Sequence, residues 1–394
     1  MIGIDLVDIE KFSIKASDNF LKKIYTENEL TYSFNKRNSL QTLAGIYAAK
    51  EAIIKANNLN LAYILRRKIE IKHIDNKPIA LIGGVEINGS ISISHDGNYA
   101  IAICQMKEQY QMNISQTMKE LMPKRKSESH KGDYGRIAVL GGSSGMAGSV
   151  YMASLAAMRT GAGMTFILAP KSISKILQIK ANEQIIKEIA CQNFYYSPEI
   201  VKQLLDNIDD KDALIIGPGM GKGENLDELI SEIITSTDID IIIDADGLNA
   251  ISKDLSILKS KNNIILTPHM GEFSRLTGIE IDKIKADEEN IARKFAKDND
   301  VILVLKSNQT IVTDGENFYK NEIGNPGMAT AGVGDVLTGV IASFMKRLDP
   351  FEAAKLGVYI HSLAGDIASQ KLGEDSLMAT DIIDSLPDAI KKLR

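Results

Sequence analysis

Six short apolar runs, each ending in small or polar residues, constrain the fold more than any other feature: RIAVLGG (136–142), MTFILAP (164–170), DALIIGPG (212–219), IDIIIDADG (239–247), NIILTPH (263–269) and VILVLKS (301–307). None alternates polar with apolar residues, so each strand needs cover on both faces. Helical stretches separate them. The pattern predicts an α/β unit with a mostly parallel central sheet and helices on both sides. In such a sheet the polar strand ends lie along one rim, where α/β proteins bind ligands.

The chain before residue 109 reads differently. A strand over Ile2 to Val7 leads into helical patterns, the longest from Leu40 to Ala56, followed by strand-like runs at Lys68 to His73 and Ser90 to Cys104. Helices first and strands later predict an α+β unit. Between the two, Gln109 to Gly132 is polar and carries the basic cluster Lys124, Arg125 and Lys126. A length of 394 residues suits two or three domains, and the expected division is 1–108 and 111–394.

The net charge of −5 argues against a nucleic-acid or anionic-membrane partner. It is unevenly spread, +2 over residues 1–112 and −7 over the remainder. No apolar run approaches the roughly 18 residues that span a bilayer. The opening MIGIDLVDIEKF has three acids where a signal peptide carries basic residues, so a cytoplasmic chain is expected. Cys104 and Cys191 are too few and too far apart for a disulfide framework, and His73, His95, His130, His269 and His361 show no metal-ligand spacing.

In the first unit, Gly3-Ile4-Asp5 places a carboxylate on the opening strand and Lys50-Glu51-Ala52-Ile53-Ile54-Lys55 places another on the long helix. Two carboxylates with open positions suit Mg²⁺ carrying a phosphate, and Lys50 and Lys55 could hold further phosphate oxygens. The simpler alternative is an i,i+4 pair between Glu51 and Lys55, with Asp5 merely near a strand end. GIDLVDIEKF, AAKEAIIKA and SISISHDGNYAIAIC occur in the order found in the holo-acyl-carrier-protein synthases, and residues 1–108 resemble that family of phosphopantetheinyl transferases. The resemblance implies transfer of 4′-phosphopantetheine from coenzyme A to a serine of an acyl carrier protein, within fatty acid biosynthesis. Asp5 and Glu51 would bind Mg²⁺, and Glu51 or a metal-bound water would take the serine proton. Lys11, Lys50 and Lys55 would contact phosphate, and His95 the substrate. It also implies self-association into a homo-oligomer. Two departures are Ile46, where the family usually has arginine, and Asn57-Asn58-Leu59-Asn60 in place of a Gly-rich loop.

The strongest local signal of the second unit is Gly324-Asn325-Pro326-Gly327-Met328-Ala329-Thr330-Ala331-Gly332-Val333-Gly334-Asp335, followed by a helical run. Glycines before a helix let backbone N–H groups point at an anion, and the helix dipole favours a phosphoryl group there. The same dipole is expected to keep Asp335 ionised, ready to accept a hydroxyl proton. The alternative is a tight turn with Asp335 as a capping acid. Lys306 to Thr310, Gly217-Pro218-Gly219, Thr267 to Glu272 and Asp244 to Asn249 add polar or Gly-rich strand ends.

HKGDYG, GGS, GPG, DADGLN, TPHMGEF, LKSNQT and NPGMATAGVGDVLTG occur in the order found in the ADP-dependent NAD(P)H-hydrate dehydratases, a ribokinase-like branch that residues 111–394 resemble. The resemblance implies repair of the hydrates NADHX and NADPHX, with ADP phosphorylating the hydrate hydroxyl before phosphate leaves. Asp335 would be the base, the amides of Gly332 to Asp335 the anion hole, and Mg²⁺ a phosphate partner. Gly219 and His269 would line the hydrate site, with Ser149 replacing a frequent alanine that faces the hydrate and Met270 a frequent proline. Lys306, Ser307, Asn308, Gln309, Thr310, Gly332 and Gly334 would hold the nucleotide. The epimerase domain often fused to such dehydratases is not seen, so the R epimer is expected to need a separate enzyme. The whole-chain expectation is thus a phosphopantetheinyl transferase domain followed by a ribokinase-like dehydratase. The alternative is a ribokinase-superfamily small-molecule kinase with residues 1–108 as an oligomerisation module.

Overall fold

The computed structural model describes residues 2–75, 77–106, 114–259 and 263–394. The chain divides into two compact units, 1–113 and 114–394. The expected boundaries at 108 and 111, and the start of the polar seam at Gln109, lie outside the described residues.

The first unit has strands β1 (Ile2–Asp8), β2 (Ile69–Ile74), β3 (Lys77–Ile82), β4 (Val85–Glu86), β5 (Gly89–Asp96) and β6 (Tyr99–Met106). They form two antiparallel sheets, β1-β6-β5 and β2-β3-β4. A long helix, Ser39–Asn57, packs on the first sheet and buries Leu43, Ala44, Ile46, Ala48, Ala49, Ala52, Ile53 and Ala56. Most of its circumference is therefore in the core. That accounts for Ile46, a packed side chain that presents nothing to a phosphate.

The second unit contains β7 (Arg136–Leu140), β8 (Met164–Pro170), β9 (Ile185–Ile189), β10 (Ala213–Ile216), β11 (Asp240–Ile243), β12 (Ile264–Leu266), β13 (Ile302–Leu305), β14 (Ile311–Thr313) and β15 (Phe318–Lys320). They make one nine-stranded sheet in the order β15-β14-β13-β12-β11-β10-β7-β8-β9. Pairing is parallel from β13 to β9, and β14 and β15 add antiparallel at one edge. The strand order reverses between β7 and β10, which opens a crevice at their carboxyl ends. Gly141 and Gly142 lie there. A side chain on Gly141 would run into the Pro218 carbonyl, to which the Gly142 N–H donates at 2.8 Å. Ser143 closes the seam by donating from Oγ to the Gly219 carbonyl at 2.9 Å.

The mostly parallel sheet with its reversed strand order over the larger part of the chain agrees with the α/β expectation. For the first unit the assignment as a phosphopantetheinyl transferase domain is corrected to an α+β unit for which that activity is not supported, for the reasons given below. No helix among the described residues is long and apolar enough to cross a membrane.

Candidate active site

Three other chain segments of the second unit, carrying Ser149, Asp244 to Asp246 and Lys306, meet at the first turn of the helix Val333–Met345. Gly332 adopts the left-handed conformation, φ +87°, and turns the chain sharply into that helix. The first N–H groups then have no acceptor within the helix and carry its positive end. A Cβ built on Gly334 would lie 3.2 Å from Lys306 Nζ and 3.7 Å from Asp244 Oδ2, so an ion pair sits directly against this turn. In that pair Lys306 Nζ donates to Asp244 Oδ1 at 2.7 Å, and Asp244 is only 2% exposed. Burial pushes the Lys306 ammonium down, but Asp244, Glu272 and Asp335 prevail and hold it above its ordinary value. It stays charged.

Asp335 is the third residue of the helix, and its carboxylate accepts from the Ser149 hydroxyl rather than capping the turn. Dipole arguments alone expect it to be readily ionised. Instead, burial and the neighbouring Asp244 and Asp246 carboxylates push it up to about 6, against the Ser149 hydrogen bond and Lys306. Desolvation outweighs a dipole effect that is worth a few tenths to about 1 kcal/mol. The consequence is a carboxyl that releases and takes protons close to neutral pH.

The remaining positions follow from the strand ends. Gly219, at φ +59°, is packed so closely that a Cβ there would lie 2.9 Å from the Met146 carbonyl oxygen and 3.0 Å from Ser149 Cβ. Ala245 has φ +49° and ψ −120°, a conformation costly for alanine, and it aims its two flanking acids apart. Asp244 faces Lys306, while Asp246 Oδ2 accepts from the Gly221 N–H at 2.8 Å. His269 caps the helix Met270–Thr277, with Nδ1 accepting from the Gly271 and Glu272 N–H groups at 2.9 and 3.2 Å. Nδ1 is thereby engaged as an acceptor, and Nε2 lies 3.6 Å from Glu272 Oε1. A β-bridge ties His269 to Lys306, whose N–H donates to the Pro268 carbonyl at 2.8 Å. Ser307 to Thr310 form a self-bonded turn just beyond Lys306, with Asn308 and Gln309 exposed.

The structure therefore brings Ser149, Gly219, His269, Lys306, Gly332, Gly334 and Asp335 to one rim, with the Ser307–Thr310 turn adjoining. Sequence reasoning overlooked Asp244 and Asp246 as individual residues, although an acid ending an otherwise apolar strand was a usable signal. Glu272, buried and accepting from the His269 N–H at 2.9 Å, was overlooked too.

In the first unit the expected constellation is taken up by internal partners. Asp5 Oδ1 accepts from Lys55 Nζ at 2.7 Å, and Glu51 Oε1 accepts from the Tyr47 hydroxyl at 3.0 Å. Burial and these two carboxylates push the Tyr47 phenol up to about 12. Lys50 is fully buried against Glu29, and the exposed Lys11 pairs with Asp8. His95 packs against Gly45 of the long helix. Among the described residues no group of three or more His, Cys, Asp or Glu is arranged to hold a metal ion. The i,i+4 alternative fails as well, because Lys55 turns to Asp5 instead of Glu51.

A family model described as NAD(P)H-hydrate dehydratase matches residues 137–388. The chain belongs to that family. The bifunctional NAD(P)H-hydrate repair enzyme Nnr of Moorella thermoacetica is 38% identical over 277 residues, 69% of this chain and 52% of that protein. The ADP-dependent (S)-NAD(P)H-hydrate dehydratase of Neisseria meningitidis is 34% identical over 63% of this chain and 82% of its own length. The chain spans about half the length of the bifunctional relatives it matches. Among solved structures, the Bacillus subtilis ADP/ATP-dependent NAD(P)H-hydrate dehydratase co-crystallised with ATP/Mg²⁺ superposes with a TM-score of 0.61 at 28% identity. It covers 70% of this chain and 96% of that one.

A second model, described as the 4′-phosphopantetheinyl transferase superfamily, matches residues 1–104, about a quarter of the chain. The Helicobacter pylori holo-[acyl-carrier-protein] synthase covers 27% of the chain at a TM-score of 0.25, too low a likeness to carry an activity. The Moorella, Thermofilum and Coxiella relatives, each matching more than two thirds of the chain, are hydrate repair enzymes. Phosphopantetheine transfer is therefore corrected, and with it coenzyme A as substrate, the acyl carrier protein as partner, and a place in fatty acid biosynthesis. The physical reason is the same throughout: Lys50 and Lys55 are neutralised internally, and the two carboxylates already have partners. Of the two whole-chain expectations, the findings back the alternative, a ribokinase-superfamily enzyme with residues 1–108 as an oligomerisation module, better than the fused transferase. The larger unit belongs with the hydrate dehydratases rather than the small-molecule kinases.

Proposed function

We propose that residues 114–394 restore NADH and NADPH from their S hydrates, with ADP as phosphoryl donor. The observation that carries the reading is Asp335, a half-buried carboxyl pushed up to about 6, set at a helix N-terminus beside the Lys306–Asp244 pair. Asp335 takes the proton of the hydrate hydroxyl as that oxygen attacks the β-phosphorus of ADP and the bond to AMP breaks. The amides from Gly332 to Asp335 stabilise charge on the transferred group, and Lys306 holds the phosphates in place of part of its bond to Asp244. The ring nitrogen's electron pair then expels phosphate, and loss of a proton from the neighbouring carbon restores the dihydronicotinamide. Gly219 lines the hydrate site with its backbone, and the exposed His269 ring does so through Nε2, which lies 3.6 Å from Glu272 Oε1. Mg²⁺ accompanying the ADP phosphates would supply charge neutralisation. The described residues form no ligand group for it, so no step rests on it.

Incubating the full chain with NADHX and ADP or ATP should produce NADH absorbance together with free phosphate. A phosphorylated product with no NADH would instead establish a small-molecule kinase. The acid limb of kcat/KM against pH should have an apparent pKa of about 6, because Asp335 accepts a proton only when ionised. Ser149→Ala removes a hydrogen bond to the ionised form and should move the limb upward, whereas Asp246→Asn removes a like charge and should move it downward. Limbs that do not move in opposite directions would assign the titration to another group.

A further inference from the structure

The buried helix Pro350–Leu372 contributes nothing to the chemistry above, yet one face of it touches the Gly324–Val333 loop along its length. Four positions, 361, 362, 365 and 366, share that face by helical spacing. Asp366 accepts from the Gly324 N–H at 3.1 Å and from Asn325 Nδ2 at 2.9 Å, which holds the start of the loop. Ser362 Oγ accepts from Asn321 Nδ2 at 2.9 Å, and the same amide donates to the Ile323 carbonyl at 2.7 Å. Gly365 leaves space for Met328 at mid-loop, since a side chain there would collide with the thioether sulfur. His361 hydrogen-bonds the backbone of Val333, where the loop becomes the helix, and its Nε2 has no partner.

We infer that this helix face is the template that sets the phosphate loop in its receiving shape, with Asp366 as its chief positioning residue. The inference rests on the dehydratase reading. Backbone amides stabilise a developing charge only if they converge before the charge appears, and a flexible glycine-rich segment cannot ensure that alone. The face grips the loop at its start, middle and end. His361 fits a structural post, because burial lowers its ring to about 4 and keeps it neutral beside Lys306.

Asp366→Asn sets an amide against two donors and frees the loop start without touching Asp335. In the full chain kcat should fall about tenfold to a hundredfold. KM for hydrate and for ADP should stay within about threefold, and the acid limb should remain at about 6. Adding Asn325→Asp restores the pairing with its polarity reversed. The amide introduced on the helix donates to the carboxylate introduced on the loop and accepts from the Gly324 N–H, while that carboxylate still accepts from the Gly327 N–H as Asn325 Oδ1 does. The double variant should return kcat to within about threefold of the parent. Asn325→Ser, which alters only the loop side, should lower kcat in the same sense if Asp366→Asn does not fold. A folded Asp366→Asn or Asn325→Ser chain with unchanged kcat overturns the inference, as does a double variant that is not rescued. Hydrogen exchange at the Met328, Ala329 and Val336 amides, which donate to the Asn325, Pro326 and Gly332 carbonyls, separates this from failure of the dehydratase reading. Asp366→Asn should speed that exchange and the double variant restore it, even if the parent chain leaves NADHX untouched.

Discussion

Asp335→Asn is expected to lower hydrate turnover by about 10² to 10⁴ while ADP affinity holds or rises. Asparagine keeps the size and one acceptor oxygen for the Ser149 hydroxyl, but it cannot take the hydroxyl proton. The amides that receive phosphate are backbone groups and stay in place, and loss of a carboxylate near ADP removes repulsion. The same variant should be more stable than the parent at neutral pH. Below the ordinary value of 3.8 the carboxyl is protonated whether the chain is folded or not, so it contributes nothing. As pH rises from there to about 6, the unfolded chain loses the proton that the folded one keeps, and stability falls. Above 6 the full penalty, on the order of 2–3 kcal/mol, is present. Thermal melting should thus rise in the Asn variant at pH 7 and match the parent near pH 4. Near-normal turnover would sink the base assignment, and a lowered melting temperature at pH 7 would point to a stabilising, ionised carboxylate instead.

The six central strands were legible because a sheet covered on both faces erases alternation and leaves bare apolar runs. β9, with the pattern IIKEI at one edge, and the three-residue strands β14 and β15 at the other were not, because edge strands are short or half-polar. Site residues at strand ends and around Gly332 could be read from residue type and order alone. The Lys306–Asp244 pair could not, since it joins positions 62 apart through the order of parallel strands. The gripping face of the helix Pro350–Leu372 was hidden for a similar reason, its polar residues lying within a stretch that reads as ordinary core. The dipole expectation for Asp335 left out the desolvation of its carboxyl and the nearby Asp244 and Asp246 charges, which raise it to about 6. In the first unit, Lys50 shows the opposite failure. Its neighbours Ala48, Ala49, Ala52 and Ile53 already signalled an apolar surround, but its partner Glu29 lies 21 residues upstream on another helix.

Lys50→Met should destabilise the first unit by about 3–5 kcal/mol. Lys50 Nζ donates to Glu29 Oε2 at 2.7 Å and to the Ile24 carbonyl at 2.8 Å, with both ionic side chains fully buried. Glu29 also accepts from the Thr26 N–H and the Ile71 N–H, each at 2.8 Å, so one carboxylate joins a helix start, the long helix and β2. Methionine fills nearly the same volume, and the loss therefore isolates the charge. It leaves Glu29 without its cation and the Ile24 carbonyl without a donor. A lysine that reached out to a phosphate would behave otherwise, because exposed substitutions usually stay within about 0.5 kcal/mol. Urea unfolding of the full chain, with hydrogen exchange followed at the Ile71 amide, distinguishes the two. Pairing Lys50→Met with Glu29→Gln should recover part of the loss, since both charges are then gone and the glutamine carbonyl can still accept from one N–H. A single variant within about 1 kcal/mol of the parent would show that Lys50 is not a buried ion-pair partner.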